Sequence, residues 1–256
     1  MNLKSVSIGI KTFLRDGALF TAVSGIRETM PEAKIIIADC GEYTEEKDGV
    51  YADLTREGHT IIHMPFDAGF GAMSNAIADA LDRPYLLIGS DDFDFRPPSV
   101  RAGIEKMIEV LEYTSVDIAG GRVHGPYEFD LEDRGDEIIE HPINTNIQPE
   151  PLFIRCDLTV NYTLMRAEVL KKVRWGSSKI GQGEHGAWFV EAKRAGFHTA
   201  YVPGVSISEQ SDVGDLRYLK FRMRSSDPGR AEFDRIGVRK YVLGTGQVDY
   251  DTSAGR

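Results

Sequence analysis

Short, largely apolar runs that alternate with helical patterns predict an α/β fold. Strand-like apolar runs occur at 6–10, 34–38, 85–88, 116–121 and 198–203, with those at 34–38 and 85–88 typical of strands buried on both faces, and 60–63 is predicted to be an edge-like strand. Apolar residues spaced three and four apart predict helices over 18–30, 72–80, 100–113, 166–173 and 187–195. Strand character also resumes over 152–163. Strands that alternate with helices indicate a sheet flanked by helices.

The run at 85–88 is followed almost at once by three carboxylates, Asp91, Asp92 and Asp94. Open α/β sheets bind ligands at the carboxyl ends of their central strands, and carboxylate oxygens suit Mg²⁺ or Mn²⁺. We interpret the stretch as a site for a metal and a diphosphate. The alternative is an acidic turn in solvent, with an Asp that caps the helix beginning near residue 98.

Polar residues also follow the first two predicted strands. Thr12 comes after the first strand and Asp39 after the second. Carboxyl ends of parallel strands meet at one edge of a sheet, so these side chains are expected near the three carboxylates. The polar, acidic stretch 123–149 is predicted to be a surface hairpin or loop without catalytic residues.

Composition is that of a globular protein, with 41% apolar and 27% charged residues among 256. The first residues lack a basic stretch followed by a long apolar core, and no apolar run reaches the length of a membrane span. We therefore expect a cytoplasmic protein. Cys40 and Cys156 lie beside apolar runs and are expected to be buried free thiols.

Charge is unevenly distributed. The net charge of −10 argues against a general polyanion binder, yet residues 217–240 hold eight Lys or Arg and three acids. The first four basic residues of this segment could clamp a diphosphate or contact an anionic acceptor; they are Arg217, Lys220, Arg222 and Arg224. Alternatively they form the solvated face of a helix whose apolar residues pack inward.

Eight segments occur in an order that resembles inverting glycosyltransferases of the GT-A fold. They are SIGIKTF, IIIADCGE, FDAGFGAMSNAIA, YLLIGSDDFDF, DIAGGRV, NYTLMRAEVLKKVRW, GEHGAWFVEAKRAGF and YVPGVSI. Within that group the chain most resembles family-two-like enzymes and the β-1,4-N-acetylgalactosaminyltransferase-like branch, over roughly 5–207. The resemblance implies a Rossmann-like mixed sheet flanked by helices in a domain of residues 1–210. Residues 211–256 would be a basic lid or tail packed on the same domain.

The resemblance also implies which residues bind the nucleotide donor. Thr12 and Asp39 would hold the nucleoside, and Asp67 and Asn75 would line the same pocket. Asp91 belongs to the same set. The basic residues Arg222 and Arg224 would contact the diphosphate.

The metal ligands depart from the pattern of the relatives, which have two acids separated by one residue. Here the pair is either Ser90 with Asp92, or Asp92 with Asp94, so Asp92 is common to both. Relatives often have a His after the last strand, where this chain has Glu209 and Gln210. We assign Asp92, Asp94 and Glu209 as the candidate ligands of Mn²⁺ or Mg²⁺. Asp212 is a further candidate.

The GEH segment is expected to supply the catalytic base. Glu184 keeps the carboxylate chemistry of the relatives, whereas His185 occupies the usual base position. The alternative is structural, with Glu184 capping the following helix and His185 packed beneath it. Trp188 would stack on the acceptor sugar, or else anchor the helix in the core.

The implied reaction transfers a hexose or N-acetylhexosamine from a UDP-sugar to an acceptor hydroxyl, with Mn²⁺ or Mg²⁺. The acceptor would be a glycan or lipid-linked sugar, or a hydroxylated base such as 5-hydroxymethylpyrimidine in DNA. A non-catalytic nucleotide-sugar binder is a third possibility. A nucleotidyltransferase is disfavoured because TFLRDG replaces the Gly-rich basic loop expected after the first strand.

Overall fold

A central sheet with helices on both faces forms the body of the molecule. The computed structural model describes residues 3–177, 179, 184–210, 216–222 and 227–252, with Glu184, Arg222 and residues 227–230 described by their backbone alone. The described strands are β1 (Val6–Thr12), β2 (Lys34–Asp39), β3 (Thr60–His63), β4 (Tyr85–Ser90), β5 (Ile118–Arg122), β6 (Phe129–Asp133), β7 (Glu137–Pro142), β8 (Ile154–Cys156), β9 (Thr163–Arg166), β10 (Thr199–Ser206), β11 (Lys240–Val242) and β12 (Val248–Asp251). The described helices are α1 (Asp16–Thr29), α2 (Glu45–Arg56), α3 (Phe70–Asp79), α4 (Pro98–Tyr113), α5 (Ala167–Lys172), α6 (Glu184–Arg194), α7 (Leu216–Arg222) and α8 (Asp227–Arg235).

The main sheet is mixed. In the described part of the chain it contains eight strands in the order β3-β2-β1-β4-β9-β5-β10-β8. β1 is parallel to β2 and to β4, and β3 is parallel to β2. β9 runs antiparallel to its neighbours β4 and β5. The carboxyl ends of β1, β2 and β4 therefore meet at one edge, and the predicted α/β fold is confirmed.

β1, β2 and β4 are buried on both faces, as their apolar runs predict, whereas the edge strand β3 is only partly buried. Ile35 and Ile37 of β2 pack in the same apolar cluster as α1 and α4. Ile36, between them, belongs to the opposite cluster with α3, α5 and α6. Helix α3 approaches β1 so closely that a Cβ on Gly9 would stand 2.6 Å from the side chain of Ile77. A larger residue at position 9 would require the side chain of Ile77, or α3 itself, to move.

Helix α2 was not predicted from the sequence. Its buried residues are Lys47, Tyr51 and Leu54, so a charged side chain occupies one of the inward positions and obscures the apolar pattern. The ammonium group of Lys47 is fully buried and pairs with Asp16 at 2.8 Å and with Asp39 at 3.0 Å. The ion pairs of Lys47 and the apolar packing of Tyr51 and Leu54 together hold this helix on the sheet.

The single strand predicted over 152–163 is two short strands in the structure. β8 lies at the edge of the sheet against β10, whereas β9 lies inside it between β4 and β5. The residues between them cross from one position to the other and bury Leu158, Thr159 and Tyr162. Burial in a crossing loop explains why this stretch has the composition of a strand.

A second sheet joins two distant parts of the chain. β6 and β7 form a hairpin within the stretch 123–149, as expected. β11 pairs with β7 in parallel and with β12 in antiparallel, which gives the order β12-β11-β7-β6. The strands after residue 210 therefore share a sheet with a hairpin that precedes it.

Candidate active site

A cavity of about 720 Å³ opens at the carboxyl ends of β1 and β4. The main sheet contributes Lys11 and Thr12 from β1 and Ser90 and Asp92 from β4 and its turn. The remaining walls come from the loops after β1 and β3, the stretch 123–140, the start of α6, helix α7 and the second sheet. The cavity lies where open α/β sheets bind ligands.

Arg15 binds two of the three predicted carboxylates. Its guanidinium contacts the Asp91 carboxylate, with Nε 3.3 Å from Oδ2, and its Nη1 lies 2.6 Å from Oδ2 of Asp92. Asp91 is fully buried, and burial raises its pKa to about 6 although Arg15 opposes that shift. Asp92 lines the cavity, whereas Asp91 lies behind it as the partner of Arg15.

Asp94 points to a different partner. Both of its carboxylate oxygens accept hydrogen bonds from Arg96, at 2.8 and 2.9 Å. Asp94 is not among the residues that line the cavity, whereas Ser90 and Asp92 are. Of the two alternative pairs left open by the sequence, the structure brings Ser90 and Asp92 together at the cavity.

The two residues after β10 have different roles. The side-chain amide of Gln210 donates to the carbonyl oxygens of Ala18, Asp91 and Phe93, at 3.0 to 3.1 Å. It therefore holds the acidic turn against α1. Glu209 lines the cavity, and its carboxylate lies 3.4 Å from Nε2 of His124.

Two of the four predicted nucleoside contacts line the cavity, namely Thr12 and Asp67. Asp67 adopts a left-handed backbone conformation with φ of 56°, and its carboxylate is 3.5 Å from the ammonium of Lys179. Positive φ is uncommon for residues other than Gly. The loop after β3 therefore has a specific backbone conformation where it forms part of the cavity wall.

The other two, Asp39 and Asn75, form internal hydrogen bonds and do not line the cavity. Asp39 accepts from the Tyr51 hydroxyl at 2.7 Å and pairs with Lys47. Asn75 donates to the carbonyl oxygen of Trp175 at 2.9 Å and accepts from its backbone N–H at 3.0 Å. Both side chains thus tie elements of the fold together in this structure.

His185 lies at the start of α6 and lines the cavity. Its Nε2 is 2.7 Å from the carbonyl oxygen of Thr159, so Nε2 carries the hydrogen and Nδ1 is left as an acceptor. Burial lowers the pKa of His185 to about 4, which keeps the ring neutral near pH 7. Glu184 is the first residue of α6, and its side chain lies outside the described part of the chain.

Because the pKa of His185 is lowered, folding stability is expected to depend on pH. Between about pH 4 and pH 6.5, the unfolded chain binds a proton at His185 that the folded chain does not, so stability rises with pH through this window. The resulting difference in the free energy of unfolding between pH 5 and pH 7 is roughly 2 kcal/mol. Urea denaturation at pH 5 and pH 7 measures it. The variant His185→Gln should lose this part of the slope, while His141→Gln on the exposed face of β7 should keep it. Equal slopes in wild type and His185→Gln would contradict the burial of the ring.

Trp188 was predicted to stack on an acceptor sugar, and the structure corrects this. The indole is 2% exposed and stacks on Trp175 with ring centres 4.8 Å apart and an interplanar angle of 11°. It lies on the face of α6 that packs against the sheet, so no sugar can reach it. The packing alternative describes Trp188 correctly.

The basic stretch contributes aromatic side chains to the cavity. Tyr218 and Phe221 of α7 line it. The centre of the Phe221 ring lies 5.0 Å from the centre of the Phe13 ring and 5.8 Å from that of Phe66. Arg217 pairs with Glu42 at 2.7 Å. The side chain of Arg222 and all of Arg224 lie outside the described residues, so their predicted contacts with a diphosphate stay predictions.

Sequence reasoning missed several residues that line the cavity. Lys11 and Arg15 are in the KTFLR segment at the end of β1, and their position at a strand end could have identified them. Lys11 Nζ lies 4.0 Å from the centre of the Phe70 ring. His124 and Tyr127 come from the stretch 123–149, which was predicted to be a surface hairpin or loop without catalytic residues. Nothing in the sequence indicates that this stretch folds back over the main sheet.

The residues at the acidic turn fit a divalent cation that shares its coordination with a diphosphate. Among the described residues, no three His, Cys, Asp or Glu side chains converge on one point. Mg²⁺ is usually held by one or two carboxylates together with substrate phosphates, so such a cluster is not required. Asp92 and Glu209 line the same cavity, and the backbone N–H of Gln210 donates to the carbonyl of Asp92 at 2.7 Å, which joins the two backbone segments that carry them.

Every helix that the structure describes is too short or too polar to cross a bilayer.

The amino-acid sequence is similar to those of known glycosyltransferases. Beta-1,4 N-acetylgalactosaminyltransferase 2 of Mus musculus is 32% identical over 212 residues, which are 80% of this chain and 39% of that protein. Beta-1,4 N-acetylgalactosaminyltransferase 1 of Homo sapiens is 34% identical over 118 residues, which are 46% of this chain and 20% of that protein. The chain therefore spans less than half the length of these relatives. No family model matches it.

Solved structures of nucleotide-sugar transferases share the fold. S. aureus TarS 1–349 in complex with UDP-GlcNAc superposes with a TM-score of 0.62 over 91% of this chain and 70% of that chain, at 9% identity. Glucosyl-3-phosphoglycerate synthase from Mycobacterium tuberculosis, in complex with Mn²⁺, uridine-diphosphate and phosphoglyceric acid, gives 0.59 over 91% and 79%, at 13% identity. Identities this low show the fold alone. The chain is a GT-A-fold protein that is homologous to the β-1,4-N-acetylgalactosaminyltransferases.

Proposed function

We propose that the protein transfers a hexose or N-acetylhexosamine from a UDP-sugar to a hydroxyl group of a glycan or lipid-linked sugar, with inversion at the anomeric carbon. The observation that carries this proposal is the cavity itself. Asp92 and Arg15 face it together at the carboxyl ends of β1 and β4, in a chain homologous to enzymes of that class.

The donor diphosphate would lie beside the acidic turn. A divalent cation held by Asp92 and Glu209 would supply positive charge to the departing diphosphate oxygens. Arg15 pairs with both Asp91 and Asp92 at the edge of the cavity, and Lys11 lines the cavity from β1. These cations favour a diphosphate on this side of the cavity. Thr12 and Asp67 would contact the nucleoside from the same walls.

The start of α6 would supply the base. In the transfer, the acceptor oxygen forms a bond to the anomeric carbon while the bond from that carbon to the UDP oxygen breaks and its electron pair leaves with UDP. The proton of the acceptor hydroxyl passes to the base. His185 presents Nδ1 as an acceptor in its neutral ring, and Glu184 precedes it in the chain. Both residues stay candidates for the base.

Substitution of the two candidates tests this mechanism. The variant that removes the base, either Glu184→Gln or His185→Gln, should lower kcat by about 10²- to 10⁴-fold and leave the dissociation constant of the donor unchanged. The assay follows UDP release from UDP-hexoses and UDP-N-acetylhexosamines with a panel of acceptors. NMR of the product reports the configuration at the anomeric carbon. Retained configuration, or a loss of less than tenfold in both variants, would contradict the mechanism.

A further inference from the structure

Two consecutive glycines in β5 pack closely against different parts of the structure. A Cβ on Gly120 would stand 2.4 Å from Cγ2 and 2.6 Å from Oγ1 of Thr159. A Cβ on Gly121 would stand 2.8 Å from Cδ1 of Tyr162 and 3.0 Å from Cε of Met107. Successive residues of a strand point to opposite faces of the sheet. Gly120 is therefore the glycine that packs against Thr159, whereas Gly121 faces side chains of the apolar core around α4.

Thr159 lies between Gly120 and the candidate base His185. It belongs to the crossing loop, which we define as residues 157–162 between β8 and β9. Its side chain is fully buried, and its hydroxyl has no hydrogen-bond partner among the residues that the structure describes. Its carbonyl oxygen accepts the hydrogen bond from Nε2 of His185 at 2.7 Å. Thr159 thus acts on the cavity through its backbone, on the side away from β5.

A side chain at position 120 would move Thr159 rather than the strand. Gly120 is paired with Thr163 of β9 and with Tyr201 of β10, so both edges of β5 are occupied. Rotation of the Thr159 side chain gives no relief, because two of its branches are close and its own Cβ would be 3.0 Å away. Ordinary contact begins at 3.4 Å, so the nearest atom must move by about 1 Å. A hydrogen bond spans only about 2.7 to 3.2 Å, so such a displacement is large enough to disrupt the bond to His185.

That hydrogen bond decides how His185 presents itself to the cavity. A carbonyl oxygen only accepts, so Nε2 carries the hydrogen and Nδ1 is the nitrogen that can take a proton. The other described contact of the ring with α6 is with Phe189, edge-on, with ring centres 5.0 Å apart. An aromatic edge restricts the ring but does not distinguish its two nitrogens. The Thr159 carbonyl therefore selects the tautomer.

We propose that Gly120 is a positioning residue for His185. The lack of a side chain at position 120 lets Thr159 pack on β5 at the depth where its carbonyl holds the Nε2–H of His185 and leaves Nδ1 as the proton acceptor. The inference rests on the proposed function and, of its two candidate bases, concerns His185. Gly120 does not line the cavity, so its substitution should act on the chemical step rather than on binding. Misplacement of a reacting group by about 1 Å can lower a rate 10²-fold.

The test compares the same substitution at the two neighbouring glycines. Gly120→Ala should lower kcat for UDP release about 100-fold, with the acceptor KM and the calorimetric dissociation constant of the UDP-sugar within twofold of wild type. In ¹H–¹⁵N NMR spectra of the side chain, the Nε2–H signal of His185 should be present in wild type and lost in this variant. Gly121→Ala is the matched control, because it crowds the apolar core instead. It should keep kcat within threefold and retain the signal.

A second substitution tests whether Gly120 acts through Thr159. Thr159→Ala removes both atoms that crowd position 120 most closely and leaves the carbonyl in place. Added to Gly120→Ala, it should raise kcat at least tenfold and restore the Nε2–H signal. Should Gly120→Ala alone not fold, the double variant carries the test, with kcat within tenfold of wild type and the signal present as the expected result, and loss of either as the contrary one.

Three results would overturn the inference. They are a kcat of Gly120→Ala within threefold of wild type, an equal loss of kcat in Gly121→Ala, and a double variant without recovery. Loss of the Nε2–H signal without loss of kcat falls under the first of these. Failure of the wild type to use any UDP-sugar would instead refute the proposed function. The NMR comparison does not depend on turnover, so it separates the two failures.

Discussion

Replacing Asp92 by Asn should lower kcat/KM by about a thousandfold, since the change removes the carboxylate on which both the cation and the diphosphate depend. The side chain keeps its size and can still accept a hydrogen bond from Arg15, so the fold should be preserved. Initial rates of UDP release, measured at saturating Mn²⁺, provide the test.

Asp94→Asn is the matched control for that substitution. Asp94 lies two residues away on the same turn, but its carboxylate is bound to Arg96 and does not line the cavity. Its variant should retain activity within about threefold, because an exposed ion pair contributes little. Equal losses in both variants would show that the turn as a whole, rather than the Asp92 carboxylate, is what matters.

Replacing Arg15 by Met should destabilise the fold by about 3 kcal/mol and also weaken binding of UDP. The guanidinium is the partner of Asp91, whose side chain is fully buried, and removal of one member of a buried pair leaves the other without compensation. Asp91→Asn in the same chain should recover much of the lost stability, because it removes the uncompensated charge. Urea denaturation of the two single variants and the double variant measures this coupling.

Arg96→Met is the control for the Arg15 substitution. The Arg96 side chain is 57% exposed, and its pair with Asp94 lies at the surface. Its loss should cost less than about 1 kcal/mol. The Arg15 account would be wrong if Arg15→Met cost no more than Arg96→Met, or if Asp91→Asn gave no recovery.

The sequence predicted the main sheet because its central strands β1, β2 and β4 are buried on both faces, and buried strands have continuous apolar runs. Asp92 and Thr12 line the cavity, as their position in the sequence indicated, because open α/β sheets bind ligands at the carboxyl ends of their central strands. Helix α2 was missed because Lys47 occupies an inward position and is neutralised by two aspartates that are distant in the sequence.

The direction of a side chain was harder to predict than its position. Asp39 ends a strand just as Thr12 does, yet Tyr51 and Lys47 bind its carboxylate inside the fold. Trp188 follows the GEH segment closely, but the helical turn between them points its indole at Trp175. Both outcomes depend on partners that only tertiary packing brings close, and the pattern of residues along the chain does not identify those partners.

The second sheet could not be predicted either. Its parallel pairing joins Ile138 of β7 to Tyr241 of β11, and neither strand shows a strong alternation that would indicate its partner. The consequence is functional, because this pairing brings Glu140 and Tyr241 to the cavity beside Tyr127. A stretch that looked like a surface excursion therefore supplies one wall of the candidate active site.

The most direct test of the nucleotide-binding site is calorimetric titration of UDP, with GDP and dTDP as comparison nucleotides, into the wild type and into Asp92→Asn. We predict saturable binding of UDP in the presence of Mn²⁺, weakened by about tenfold or more by EDTA and to a similar extent by the substitution. Absence of binding by all three nucleotides with Mn²⁺ present would contradict a site for a metal and a diphosphate at the end of β4. So would equal UDP affinity in wild type and Asp92→Asn.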